Sequence, residues 1–414
     1  MNNKINLPED ADCTGCMACV SSCPRHAISI RTNIYGEEFP EIDATVCIQC
    51  RRCLGVCHLN KDFFPKKKSD NIYVAWSTNS DIRTRSASGG IAATLYQYAL
   101  ENKIHTFGVR LNANHEAQYC ELVSQEDIEA CQNSKYVYSQ MGYIYDRIKK
   151  YLEQGEKVLF IGLPCHVAGI FSYLGKKYEN LISVDIVCHG TCSSQYLKSH
   201  IENIEKKKNK TADMIYFRDP QYETNNFIFS LRKQNEIIYM APVEYTDAYQ
   251  IGYHKALIYR ENCYHCKYAR AERISDLTIS DFSGLGRIEE WKKEGKSVSC
   301  VIASTKKGEQ LLEVLKKNRV IEIFKRPSDE AYKFEKQLQK PSVPNLHREK
   351  FLQAYVEEQN FDHAVQVACK KEMRYNFIIH ILHLKELRLF VRKLVPTKIK
   401  VVIKSKLKHL FRRR

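Results

Sequence analysis

The chain has 414 residues, 44% of them hydrophobic, and a formal net charge of +16. That apolar content suits two or three packed domains and excludes wholesale disorder. No uncharged apolar stretch reaches the roughly eighteen residues of a membrane span, and Met1 to Asp10 holds no apolar run of signal-peptide length, so a cytoplasmic protein is expected.

In chain order, the first feature is a pair of cysteine runs. Cys13-x2-Cys16-x2-Cys19-x3-Cys23 is followed by Pro24, and Cys47-x2-Cys50-x2-Cys53-x3-Cys57 repeats the pattern. These are the spacings of bacterial two-cluster ferredoxins, in which three close thiolates wrap one 4Fe-4S cubane and the fourth reaches the other. The expected sets are Cys13, Cys16, Cys19 and Cys57, and Cys47, Cys50, Cys53 and Cys23. The alternative, structural zinc, takes four ligands per site and gains nothing from an eight-cysteine repeat. His58 stands where a proline usually follows the last cysteine. Eight thiols used as metal ligands also point to a reducing compartment rather than to disulfides. The module ends in the polar linker Lys66 to Asp70.

From Asn71 to about Glu330, short apolar runs alternate with helix-like stretches, which predicts α/β layering. A strand is predicted at Ile72–Trp76 and a helix from Ile91 to about Glu101. Between them Ser86-Ala87-Ser88-Gly89-Gly90 makes a glycine loop entering a helix, a candidate pyrophosphate cradle; an ordinary turn is the alternative. It is not a Gly-x-Gly-x-x-Gly fingerprint. Two further apolar runs, Val158–Ile161 and Ile182–Val187, precede Gly162-Leu163-Pro164-Cys165 and Cys188-His189-Gly190. In open α/β sheets, ligands gather at carboxyl strand ends. Cys263-x2-Cys266 precedes another predicted strand, Asp276–Phe282. Cys165, Cys188, Cys263 and Cys266 can therefore enclose a third cluster; ordinary buried thiols are the alternative for Cys165 and Cys188. His189 can donate a proton or be a core histidine. No nucleophile or general base is evident.

The loop Ser86–Gly90, Ser134-Lys135-Tyr136-Val137-Tyr138-Ser139, Gly162–Cys165, Cys188–Gly190, and Cys263-x2-Cys266 with Arg273-x2-Asp276 and Ser280-Asp281-Phe282 together resemble the beta-subunit family of coenzyme F420 hydrogenases and dehydrogenases. The likeness spans about residues 72 to 286. It implies a bound flavin, FAD, contacted by Ser86, Ser88, Gly89, Gly90, Lys135, Tyr136 and Ser139, beside a cluster held by Cys165, Cys188, Cys263 and Cys266. His166 departs from the glutamine that family members carry after Pro-Cys.

The expected fold is an α+β ferredoxin module (1–68), then an α/β flavin and iron–sulfur domain in two parts (71–160 and 161–330), then a helical basic tail (345–414). Residues 376–414 carry twelve Lys and Arg against Glu386 alone, a local charge of +11 that leaves +5 for the rest of the chain. Phe377, Ile378, Ile381, Leu384 and Leu387 begin an apolar face there. This reads as contact with an anionic membrane surface or a partner, or as a helix packed on the chain's own core. Nucleic acid is disfavoured by the scarcity of interleaved aromatics. The expected activity is exchange of electrons between an organic hydride substrate, coenzyme F420 or another, and a redox partner protein. The alternative is a non-catalytic electron-transfer subunit.

Overall fold

A computed structural model describes residues 5–243, 246–293 and 297–381. The N-terminal module consists of α1 (Ala18–Ser22), β1 (Ile28–Thr32), β2 (Glu38–Ile42) and α2 (Arg52–Gly55). β1 and β2 pair antiparallel with Ile28 opposite Ile42, burying Ile28 and Phe39.

After the linker come β3 (Ile72–Ser77), α3 (Ser80–Arg85), α4 (Ile91–Glu101), β4 (His105–Leu111), β5 (Ala117–Leu122), α5 (Gln125–Cys131), β6 (Ser139–Gln140), α6 (Ile144–Glu153), β7 (Val158–Gly162), α7 (Pro164–Leu174), β8 (Leu181–Ile186) and α8 (Ser194–Lys208). A small excursion follows, β9 (Met214–Tyr216), β10 (Phe229–Lys233) and β11 (Glu236–Ala241), which forms its own antiparallel sheet. The chain then returns through α9 (Ala248–His254), β12 (Leu277–Asp281), β13 (Ser299–Ala303), α10 (Lys306–Lys317), β14 (Ile321–Arg326) and α11 (Ser328–Tyr332), and ends in α12 (Arg348–Glu358) and α13 (Phe361–Ile381).

The main sheet has nine strands in the order β14-β3-β13-β12-β8-β7-β4-β5-β6. Its centre, β4-β7-β8-β12, is parallel, whereas the pairings β12-β13, β13-β3 and β3-β14 beside it are each antiparallel. All five residues of β7 are buried, as the unbroken run Val158-Leu159-Phe160-Ile161 requires of a strand covered on both faces. Leu95, Ile161, Val184, Leu277 and Leu312 belong to one core. Phe107, Tyr145, Ile148, Phe160 and Val167 belong to another.

Pro164 at the first turn of α7 and Gly175 in the left-handed C-cap (φ 70) fix that helix between adjacent parallel strands. The ends of β7 and β8 therefore open at one edge of the sheet, with Gly162 beside Asp185. The first part of α13 buries Phe361, Ala364, Val365 and Ala368 in the third core. A break in helical backbone follows at Cys369. Phe377 and Ile378 are exposed. Residues 382–414, with most of the basic apolar face, lie outside the described residues. Among the described residues no helix is long and apolar enough to cross a membrane.

Candidate functional site

The two cysteine runs fold alike. In the first, Gly15 and Met17 have φ of 73 and 59; at the matching positions of the second, Gln49 and Arg51 have φ of 56 and 58. Left-handed backbone at three residues other than glycine is costly, and such strain collects where a loop must curl around a ligand.

The grouping of thiols follows the crossed pattern of the spacing. Burial, with Cys13 and Cys57 adding to it, pushes Cys16 up to about 12. Burial likewise raises Cys19, with Cys16, Cys13 and Cys57 as its charged neighbours. Cys23, Cys47, Cys50 and Cys53 line a second small site together. Cys50 is exposed and Cys53 is buried.

Cys165, Cys188, Cys263 and Cys266 meet in a third. Cys165 leads into α7 after β7, Cys188 follows β8, and Cys263 and Cys266 come from the loop before β12. That loop is tied to the sheet by buried ion pairing. Arg273 donates to Asp185 at 2.8 Å and to the Tyr268 carbonyl at 2.7 Å, while Asp276 accepts from the Ser183 amide and hydroxyl, each at 2.9 Å. Burial pushes Cys263 up to about 11, with Cys266 adding to it. Thiols so desolvated become ligands only when a metal supplies the opposing charge. Among the described residues no group of three or more Cys, His, Asp or Glu side chains closes on a single-ion position; a cubane spreads its four thiolates around a body of irons and sulfides.

Side chains that the cysteine spacing does not reveal fit anionic clusters. Arg260 is 1% exposed, and its Nε and Nη1 have no hydrogen-bond partner. Its Nη2 donates to the Glu38 carbonyl at 3.2 Å and to the Cys13 carbonyl at 3.5 Å. Its guanidinium lies over Phe39 at 4.5 Å and over Tyr138 at 4.9 Å. Burial raises both Cys13 and Cys263, and this charge opposes the rise in each. An uncompensated buried cation is expensive, and clusters carrying negative charge in the first and third sites would offset it. His166, fully buried, accepts from or donates to Tyr119 through Nδ1 at 3.1 Å, and its Nε2 is unpartnered. It lines the third site, and burial pushes it down to about 3.

The module is packed directly on the sheet domain. Tyr145 donates to the Cys16 carbonyl at 2.6 Å, and Tyr138 donates to the Gly15 carbonyl. A Cβ at Gly169 of α7 would meet Tyr145 Oη at 2.7 Å and Cys16 Sγ at 3.3 Å, so α7 lies close against the first run. His58, the departure from proline, is buried between Thr14 Oγ1 at 2.9 Å and Tyr268 Oη at 2.6 Å. It thus links the first run to a residue lining the third site.

Beside that third site lies a cavity of about 890 Å³. Gly162, Cys188 and Asp281, at or just past the ends of β7, β8 and β12, reach it, as do Ser86, Ser88, Gly90, Lys135, Tyr136 and Ser139. Gly89 does not line it; it packs behind, its amide donating to Ser299 Oγ at 3.0 Å and its α-carbon against the Ala75 carbonyl. Gly90 (φ 81) caps α4 with no side-chain cap hydrogen bond, and Ile91, Ala92 and Ala93, the first residues of this eleven-residue helix, line the cavity. Burial pushes Lys135 down to about 8, and its Nζ donates to the Gln132 carbonyl at 2.6 Å. Leu163, Cys188, His189, Gly190 and Thr191 line both the cavity and the third site. Burial lowers His189.

Comparison with known proteins agrees with these features. Residues 12–60 match the 4Fe-4S dicluster domain, residues 72–144 the N-terminal part of the coenzyme F420 hydrogenase/dehydrogenase beta subunit, and residues 155–329 its C-terminal part. Among curated proteins none matches significantly. Among solved structures, a chain of the F420-reducing NiFe hydrogenase complex from Methanosarcina barkeri, in a xenon derivative, is similar at 17% identity and a TM-score of 0.40, covering 76% of this chain and 92% of that one. That likeness is too slight to carry detail across. The two matched halves and the dicluster module identify the chain as an iron–sulfur electron-transfer protein of the coenzyme F420 hydrogenase/dehydrogenase beta-subunit family.

Proposed function

We propose that the chain is a flavin-dependent oxidoreductase that exchanges electrons between an organic hydride substrate, reduced coenzyme F420 or a compound of similar chemistry, and a redox partner protein. FAD is the flavin assigned to the 890 Å³ cavity. Bound there, it would supply the conversion between a two-electron hydride and single electrons that clusters can carry. Gly90 and the start of α4 would receive its pyrophosphate, with Ser86, Ser88 and Ser139 as polar contacts, Lys135 as a cation and Tyr136 as an aromatic wall. Cys165, Cys188, Cys263 and Cys266 would hold a third 4Fe-4S cluster. Cys13, Cys16, Cys19 and Cys57, and Cys23, Cys47, Cys50 and Cys53, would hold the other two.

One observation carries this reading: Leu163, Cys188 and His189 are shared by the flavin-sized cavity and the third thiol site. Cofactors bound in these two sites would share those lining residues. The proposed division remains 1–68, 71–160, 161–330 and 345–414, with the basic tail as a contact for an anionic membrane surface. Purified chain mixed anaerobically with reduced coenzyme F420 or a nicotinamide donor should bleach first in the flavin band and then in the cluster band. Clusters that never respond to a hydride donor, in a preparation without flavin, would replace this reading with that of a non-catalytic electron-transfer subunit.

A further inference from the structure

The three thiol sites differ in how they are covered. Thr14 of the first run lines the third site, so the first site adjoins the third. That first site is covered: Tyr138 and Tyr145 donate to its backbone, and Gly169 of α7 packs against Cys16. The second site faces outward, with Cys50 exposed. A protein partner would find its nearest thiol at this site.

Its surroundings are one-sided in charge. Arg25, Arg51 and Arg52 are exposed and line the site, and no carboxylate lines it. Ile48, between Cys47 and Cys50, lines it too and is 59% exposed. On the rest of the module Glu37, Glu38, Glu41 and Asp43 sit on and beside β2, Arg31 pairs with Asp10, and Asp12 lies at 3.3 Å from His265. The backbone of Arg51 is fixed as the N-cap of α2, so its position is set by the loop that curls around the thiols. A large apolar side chain amid three cations, beside a solvent-reaching thiol, is the pattern of a small polar-rimmed docking patch.

We propose that Arg25, Arg51, Arg52 and Ile48 form the docking surface for a small acidic one-electron carrier protein, of ferredoxin or flavodoxin type. The arginines face its carboxylates, and Ile48 makes the dry contact over which the electron crosses. Each encounter moves one electron between the carrier and the cubane of Cys23, Cys47, Cys50 and Cys53, and no bond is made or broken. The proposal rests on the reading of that site as a cluster.

The test uses the full holo chain under anaerobic stopped flow, with a reduced acidic ferredoxin as the probe. The second-order rate constant should fall about tenfold or more from roughly 10 to 300 mM salt. The triple variant Arg25→Glu, Arg51→Glu, Arg52→Glu should lose at least about tenfold at low salt, and the Arg→Lys triple should retain most of the rate and its salt dependence. Dithionite, which needs no docking, should reduce all three proteins alike. Equal ferredoxin rates for the Glu triple and the parent, or rates indifferent to salt, would overturn the proposal. Iron analysis and cluster spectra are read separately. A parent chain whose module holds only one cubane would overturn the cluster assignment beneath it.

Discussion

Replacing Arg260 by methionine removes one positive charge and keeps a flexible stem of similar length. Arg260 is 1% exposed, and two of its guanidinium nitrogens have no hydrogen-bond partner. Its charge acts on Cys13 of the first site and on Cys263 of the third. A unit charge on the order of 7 Å from a cluster, at an effective dielectric constant of about 20, is worth roughly 2 kcal/mol, or about 100 mV for a one-electron couple. Reduction adds negative charge, so a neighbouring cation favours it. Arg260→Met should therefore lower the potentials of the first and third clusters by tens of millivolts to about 100 mV, leaving the outward cluster nearly unchanged. The assay is a redox titration followed by electron paramagnetic resonance, with iron content as the check on cluster loading. In the cluster-free chain the sign reverses. There the guanidinium lacks its counter-charge, so Arg260→Met should be neutral or stabilising in thermal melts. Unshifted potentials in a fully loaded variant would refute the reasoning.

Four other expectations follow from the same geometry. Cys263→Ser with Cys266→Ser should remove about four of about twelve irons, interrupting transfer from flavin to the module while the module's spectrum persists. Gly90→Val places a β-branched side chain at φ 81, which costs roughly 1–2 kcal/mol or more; together with Lys135→Met it should weaken flavin retention, read by released flavin fluorescence. Truncation after Lys371 should abolish salt-sensitive binding to anionic vesicles and leave cofactor content intact. His200 lies between Asp362 at 2.6 Å and Asp247 at 3.0 Å. Burial alone would push it down, and the two carboxylates outweigh this and hold it up to about 10. A raised folded value means stability that is full below the ordinary value of about 6.5 and is lost as pH rises toward 10. His200→Gln should flatten that decline in denaturant titrations.

The sequence showed some parts of this site and hid others for physical reasons. Covalent spacing limits which thiols can wrap one cluster, so the 4Fe-4S dicluster module was readable from Cys13 to Cys57. Strand ends were readable too, because β7 and β8 are apolar runs punctuated by Gly162 and His189-Gly190, and adjacent parallel strands must open on one edge. The antiparallel insertion of β3 between β13 and β14, and the separate β9–β11 sheet, depend on pairing between distant segments that local pattern does not encode. Arg260 stands in an unremarkable Tyr-Arg-Glu stretch; only the fold places it against Phe39, Tyr138 and Cys13. The histidine at position 58 looked like a loss of proline. In the folded chain it joins Thr14 to Tyr268. Gly89, grouped with the flavin contacts by motif, supports the loop from behind.

The most direct measurement is cofactor stoichiometry of the intact chain purified without oxygen. Three cubanes and one flavin predict about twelve irons, about twelve sulfides and about one FAD per chain. About eight irons with no flavin, in a chain whose module spectrum is intact, would contradict the account.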